Sequence, residues 1–171
     1  MLDIHNFKNT ADYLPILNGV LFTDLVVILL LMKGAFQSKV LQKWYKDLSL
    51  SAVIADVLII VLGIIIARFL YPYIFSKYSL LKFIGLAVLI QVTHDILFYF
   101  FCQSIPRGKS RILDIFKDYG KEKGSGAIIA DSLMMISSIL LASYLKGQNL
   151  NTNMIILILL VYLVPYMLYS L

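Results

Sequence analysis

A single cysteine, Cys102, stands in the whole chain. There is therefore no intramolecular disulfide and no CxxC redox pair. Histidine is almost as scarce: His5 and His94 are the only two. With His5 in a polar N-terminal tail, this scarcity argues against bis-histidine haem and multi-histidine metalloenzymes. No Gly-x-Ser-x-Gly elbow occurs. Gly108-Lys109-Ser110 ends like a phosphate-binding loop, but Gln103 stands where that loop needs its first glycine. Charge is thin as well. Asp, Glu, Lys and Arg make up 15% of the residues against 60% hydrophobic, with a mean hydropathy of +0.86. A soluble domain of 171 residues has no use for so much apolar surface, and the composition is that of a membrane protein. The N-terminal MLDIHNFKNTADY lacks the basic start of a secretory leader, so the first apolar stretch is expected to be retained.

What is present is five apolar stretches, at about 14–32, 50–70, 80–102, 125–145 and 154–171. Each approaches the roughly 20 residues that a helix needs to cross the hydrocarbon core. Lipid offers the backbone no hydrogen-bond partners, so these stretches predict helices. The expected fold class is an all-α polytopic membrane bundle of five transmembrane helices forming one domain. Five spans put the termini on opposite sides. One side carries Lys33, Lys39, Lys43 and Lys46 in the first connection and Arg107, Lys109, Arg111, Lys117, Lys121 and Lys123 in the third. The other carries only Lys8, Arg68, Lys77, Lys82 and Lys146. The positive-inside rule then places the N-terminus outside and the C-terminus in the cytoplasm. Tyr71, Tyr73, Phe75 and Tyr78 read as an outer aromatic belt, where Arg68 and Lys82 snorkel.

The second and fourth stretches read as copies. Leu50-Ser-Ala-Val-Ile-Ala-Asp56 aligns with Ser125-Gly-Ala-Ile-Ile-Ala-Asp131, and in the same register Ala67 meets Ala142. Asp24 and Asp95 stand in the first and third stretches at a closely similar separation. The expectation is a tandem two-helix repeat, with units at about 14–73 and 80–145, and one appended helix at 154–171. Such a repeat turns about an axis along the membrane normal. Both basic connections are amphipathic. Phe36, Val40, Trp44 and Leu48 recur at helical spacing in one, and Ile112, Ile115, Phe116 and Tyr119 in the other. Segments of this kind lie in the interface. Lys39, Lys43, Trp44, Arg107, Lys109 and Arg111 are therefore the expected contacts to anionic lipid headgroups. A solvated linker is the plainer reading of the same segments.

The informative residues are Asp24, Asp56, Asp95 and Asp131. A carboxylate at the centre of a membrane helix costs roughly 2.5–3.5 kcal/mol, and less near the interface. Counted along the helices, all four lie about 10–13 Å from the cytoplasmic ends and define one layer. Helix capping does not account for Asp56 or Asp131, because Ser49 or Ser125 stands at the capping position. Small residues share a face with each: Ala52, Gly63 and Ala67 with Asp56, and Ala127, Ser138 and Ala142 with Asp131. Such a face admits a neighbouring helix, so both aspartates are expected to point into protein. In the third span Gln91, Asp95, Tyr99 and Cys102 form a polar stripe with His94 beside it. The facing of Asp24 is not readable.

The segments Gln91-Val-Thr-His-Asp-Ile-Leu-Phe-Tyr, Pro106-Arg-Gly and Gly126-Ala-Ile-Ile-Ala-Asp resemble uncharacterised multi-pass membrane proteins of large DNA viruses of algae and protists. The resemblance implies a virion or infected-cell membrane. It supplies no activity and no catalytic residue.

The expected function is binding or passage of a cation, a proton included, at Asp24, Asp56, Asp95, Asp131 and His94, with Gln91 and Tyr99 on the same stripe. A bound cation is the only cofactor this implies, and its identity is open. A non-catalytic scaffold, with the aspartates as hydrogen-bonding glue, is the first alternative. A small metal-dependent lipid enzyme is the second. The expected partner is the bilayer, with no nucleic acid, and a homo-oligomer is compatible with the sequence. Polar groups in the outer half are few, Asn18 and Gln91, which weighs against a transport path.

Overall fold

The computed structural model describes residues 2–35 and 37–171. Phe36, assigned above to the apolar face of the first connection, lies outside the described residues. Those residues form seven α-helices and a short 3-10 turn, Thr10–Asp12, and include no strand. The helices are α1 (Tyr13–Met32), α2 (Lys39–Leu48), α3 (Leu50–Ile74), α4 (Leu80–Ser104), α5 (Arg111–Lys123), α6 (Ser125–Leu145) and α7 (Leu150–Leu168). Five of them, α1, α3, α4, α6 and α7, are long and apolar enough to cross a membrane. The chain is a multi-pass membrane protein of all-α fold. α7 begins earlier than the apolar pattern suggests. The Asn149 side chain accepts from the Thr152 amide at 2.8 Å, so the polar run Asn149 to Asn153 is a cap and first turn rather than a loop.

α1, α3, α4 and α6 pack as a ring, with α1 and α4 each touching α3 and α6, while α7 leans on α1 from outside. The tightest seam is α1 against α6. A Cβ on Gly19 would lie 2.8 Å from both the Ala142 nitrogen and the Ser138 carbonyl oxygen, so only glycine admits this approach. Asn18 crosses from α1 to α7, its Nδ2 donating to the Asn153 carbonyl at 2.8 Å.

α2 and α5 close one end of the ring. Each starts on a serine, Ser38 or Ser110, whose hydroxyl accepts from the amide three residues on. They lie antiparallel, clipped at both ends. Arg111 pairs with Asp47 at 3.0 Å, and Glu122 accepts from the Val40 amide at 3.0 Å. Between the clips the Trp44 and Phe116 rings meet at 4.8 Å. The turns out of α2 and α5 share one backbone conformation: Ser49 at φ 48°, ψ −121° and Gly124 at φ 53°, ψ −130°. This corrects the capping expectation. Ser49 holds the N-cap position of α3 but makes no side-chain cap bond, and Gly124, not Ser125, precedes α6.

The opposite end also departs from expectation. Arg68 does not snorkel; its side chain is 0% exposed. It donates to the carbonyls of Asn6 (2.5 Å) and Asn9 (2.8 Å) and to Asp12 (3.3 Å), and it stacks over the Tyr13 ring. Lys146 reaches the same Asp12 at 2.9 Å. Residues 2–12 thus fold back over the helix ends and supply the acceptors for one terminal nitrogen of Arg68, while its Nε and other terminal nitrogen are buried with no partner among the described residues. Tyr71 is likewise core rather than belt. It is fully buried, its hydroxyl accepts from the Ser79 amide at 2.8 Å, and the His5 ring packs against it. Tyr73 remains exposed.

Candidate functional site

The four aspartates lie toward the α2/α5 end of the ring and interact as two sets, Asp24 with Asp56 and Asp95 with Asp131. Asp24 on α1 is 0% exposed and accepts from the Tyr45 hydroxyl at 3.0 Å, while its second oxygen has no partner. Asp56 on α3 accepts from the Trp44 indole N–H at 2.9 Å and interacts electrostatically with Asp24. Both donors come from α2. On the other side, Asp95 on α4 accepts on one oxygen from the Gln91 amide (2.8 Å) and lies against the His94 ring (3.2 Å), and its other oxygen is buried without a partner. Asp131 on α6 feels the charges of Asp95, Asp56 and His94 and is engaged by no side-chain donor among the described residues. Each set joins two helices of one expected repeat.

Two phenols from the interfacial helices register this negative field. Tyr45 is held well above the ordinary tyrosine range, by burial first and then by the charges of Asp56 and Asp24. Tyr119 is pushed up in the same way, by burial and then by Asp131, Asp56, Glu122 and Asp95. Against this field stands little positive charge. Among the described residues no Arg or Lys pairs with any of the four aspartates, and the only basic side chain in reach is His94. The described residues also bring no three His, Cys, Asp or Glu side chains close enough to hold a metal ion.

A cavity of about 1510 Å³ opens beside the layer, lined by Asp56, Gln91, His94, Asp95, Tyr99 and Asp131 among many apolar side chains. The polar stripe of α4 thus faces the cavity along its length, Cys102 included. Asp24 sits behind Tyr45, outside the lining. Trp44, expected at the headgroups, is instead only 4% exposed, with its indole turned inward to Asp56. Lys39, Lys43, Arg107, Lys109 and Arg111 are exposed; Arg107 pairs with Asp118 and Arg111 with Asp47.

The sequence reading missed Tyr45. Val40, Leu41, Trp44, Tyr45 and Leu48 form a two-residue-wide stripe on α2, a width that suits a helix packed on protein rather than one lying on lipid. It also missed Thr23 and Ser137, whose hydroxyls meet at 3.3 Å across the α1/α6 seam one residue from Asp24. Comparison with protein-family models, with curated proteins and with solved structures gives no match.

Proposed function

We propose that this membrane protein binds a cation at the aspartate layer, and that in the absence of any other ligand the cation is a proton shared within each set. The observation that carries this reading is the imbalance of charge. Four carboxyl groups interact with one another, and among the described residues they meet three side-chain donors and the His94 ring but no lysine or arginine partner. Buried carboxylates in that state take up protons or a cation rather than stand ionised. Among the described residues no three His, Cys, Asp or Glu side chains converge, which favours protons over a metal. The positive-inside bias favours a cytoplasmic position for the layer, and the resemblance to viral membrane proteins implies a virion or infected-cell membrane.

The scaffold reading is supported by Tyr45 and Trp44, since their bonds to Asp24 and Asp56 are also those of structural glue. Asp56→Asn and Asp95→Asn separate the two, because the amide keeps the shape and removes the charge. A cation-binding layer predicts variants that fold but lose the dependence of proteoliposome proton flux, or of thermal stability, on pH and added cations. Glue alone predicts that asparagine changes neither.

A further inference from the structure

We propose that the cavity beside the layer is the binding groove of a long-chain amine, a membrane amphiphile whose ammonium headgroup takes the place of the shared proton. The inference rests on the cation reading above and names the cation.

The walls define the tail. Phe22, Val26 and Leu30 on α1, Phe100 on α4 and Leu133 on α6 line the groove and are themselves substantially exposed, so it opens on the flank that faces hydrocarbon. An apolar groove of about 1510 Å³ in that position is filled by hydrocarbon chains, because protein interiors do not sustain dry voids of such size. The polar end defines the headgroup. Gln91 is only 3% exposed, and its amide N–H is committed to Asp95, which leaves its carbonyl oxygen as an acceptor with no donor. The second oxygen of Asp95 is buried with no donor, and Asp131 has none either. Two open acceptors on one groove, the Gln91 carbonyl and the Asp131 carboxyl group, with the Asp95 carboxyl group buried behind them, call for donors and a positive charge, and an ammonium carries both.

An anionic headgroup meets the opposite arrangement. Lys123 is the one lysine in the lining, and its Nζ is already held by the Gln37 carbonyl at 2.7 Å and near Glu122 at 3.7 Å. A hydroxyl headgroup supplies a single donor and leaves the carboxyl charge unbalanced. Tyr119 and His94 also line the groove.

The test uses the whole protein in detergent micelles at about pH 8, where a primary alkylammonium stays protonated. Octadecylammonium, octadecanol and octadecanoate are compared by native mass spectrometry and by thermal shift. The amine is expected to be retained about tenfold or more tighter than the alcohol, since charge-assisted hydrogen bonds are roughly twice as strong as neutral ones, and the carboxylate least of all. Asp95→Asn with Asp131→Asn is expected to lower amine retention to about the level of the alcohol. Equal retention of amine and alcohol by the wild type, preference for the carboxylate, or retention of none overturns the proposal. The wild-type ranking decides it even if the double variant does not fold. Proton uptake by the layer, measured separately, tells failure of this inference from failure of the cation reading.

Discussion

Tyr45→Phe removes one oxygen atom and asks what state Asp24 is in. The Tyr45 hydroxyl is the sole side-chain donor to Asp24, at 3.0 Å, and the carboxyl is fully buried with its second oxygen unpartnered. A hydrogen bond to a charged group contributes about 1.5–3 kcal/mol, and more is lost when the buried charge is left alone. A bond between neutral groups contributes about 0.5–1.5 kcal/mol. If Asp24 carries a proton, the double-mutant cycle of Tyr45→Phe with Asp24→Ala, which removes the acceptor, should return a coupling of about 1 kcal/mol, within the range of interhelical hydrogen bonds in membrane bundles. Reversible unfolding by a denaturing detergent in mixed micelles reads the four stabilities. A coupling of about 3 kcal/mol or more would show an ionised Asp24 and refute the shared-proton account. A coupling of zero would refute the contact.

The raised Tyr119 phenol makes stability depend on alkaline pH: it is full below about pH 10, the unfolded tyrosine value, and falls as pH rises further, because only the unfolded chain ionises there. Thermal unfolding across that range should show the fall, and Tyr119→Phe should reduce it; an equal fall in the variant would exclude Tyr119 as its source. Ser49 holds a backbone conformation that favours glycine, so Ser49→Gly should stabilise the protein by about 1 kcal/mol and Gly124→Ala should destabilise it by a similar amount. Circular-dichroism melts compare them, and opposite signs would sink the strain argument. Gly19→Ala drives a methyl into the α6 backbone and should cost about 1–3 kcal/mol, whereas Gly85→Ala, with nothing within 4 Å, should be neutral in the same melts.

The spans were legible because hydropathy and length decide them, and the α6 boundaries came out to the residue, while α3, α4 and α7 moved by a few residues at caps and fraying ends. The stripe on α4 was legible because its spacing places Gln91, Asp95 and Tyr99 on one face, and all three line the cavity. Asp24 was not, since its partner Tyr45 comes from a separate helix and nothing local to α1 announces it. Arg68 was misread for the same reason. Beside an aromatic run it looks like an interfacial anchor, yet Asp12, Asn6 and Asn9 lie far back in the chain and only the fold brings their oxygens to it. Trp44 obeyed the amphipathic pattern but on a helix whose apolar face turns to protein. Hydrophobic periodicity does not tell a lipid-facing stripe from a protein-facing one. Ser49 and Gly124 share one backbone conformation at positions that the expected repeat makes equivalent, and α2 lies antiparallel to α5.

Infrared difference spectroscopy of the protein in lipid, titrated in the presence of chelator, bears on the aspartate layer most directly, because protonated and ionised carboxyl groups absorb separately. Ordinary aspartates are ionised above about pH 4. The shared-proton account predicts a protonated carboxylic carbonyl band that survives to about pH 8 in the wild type and loses intensity in Asp56→Asn and in Asp95→Asn. A spectrum in which every carboxyl group is already ionised at about pH 8, in wild type and variants alike, would contradict it.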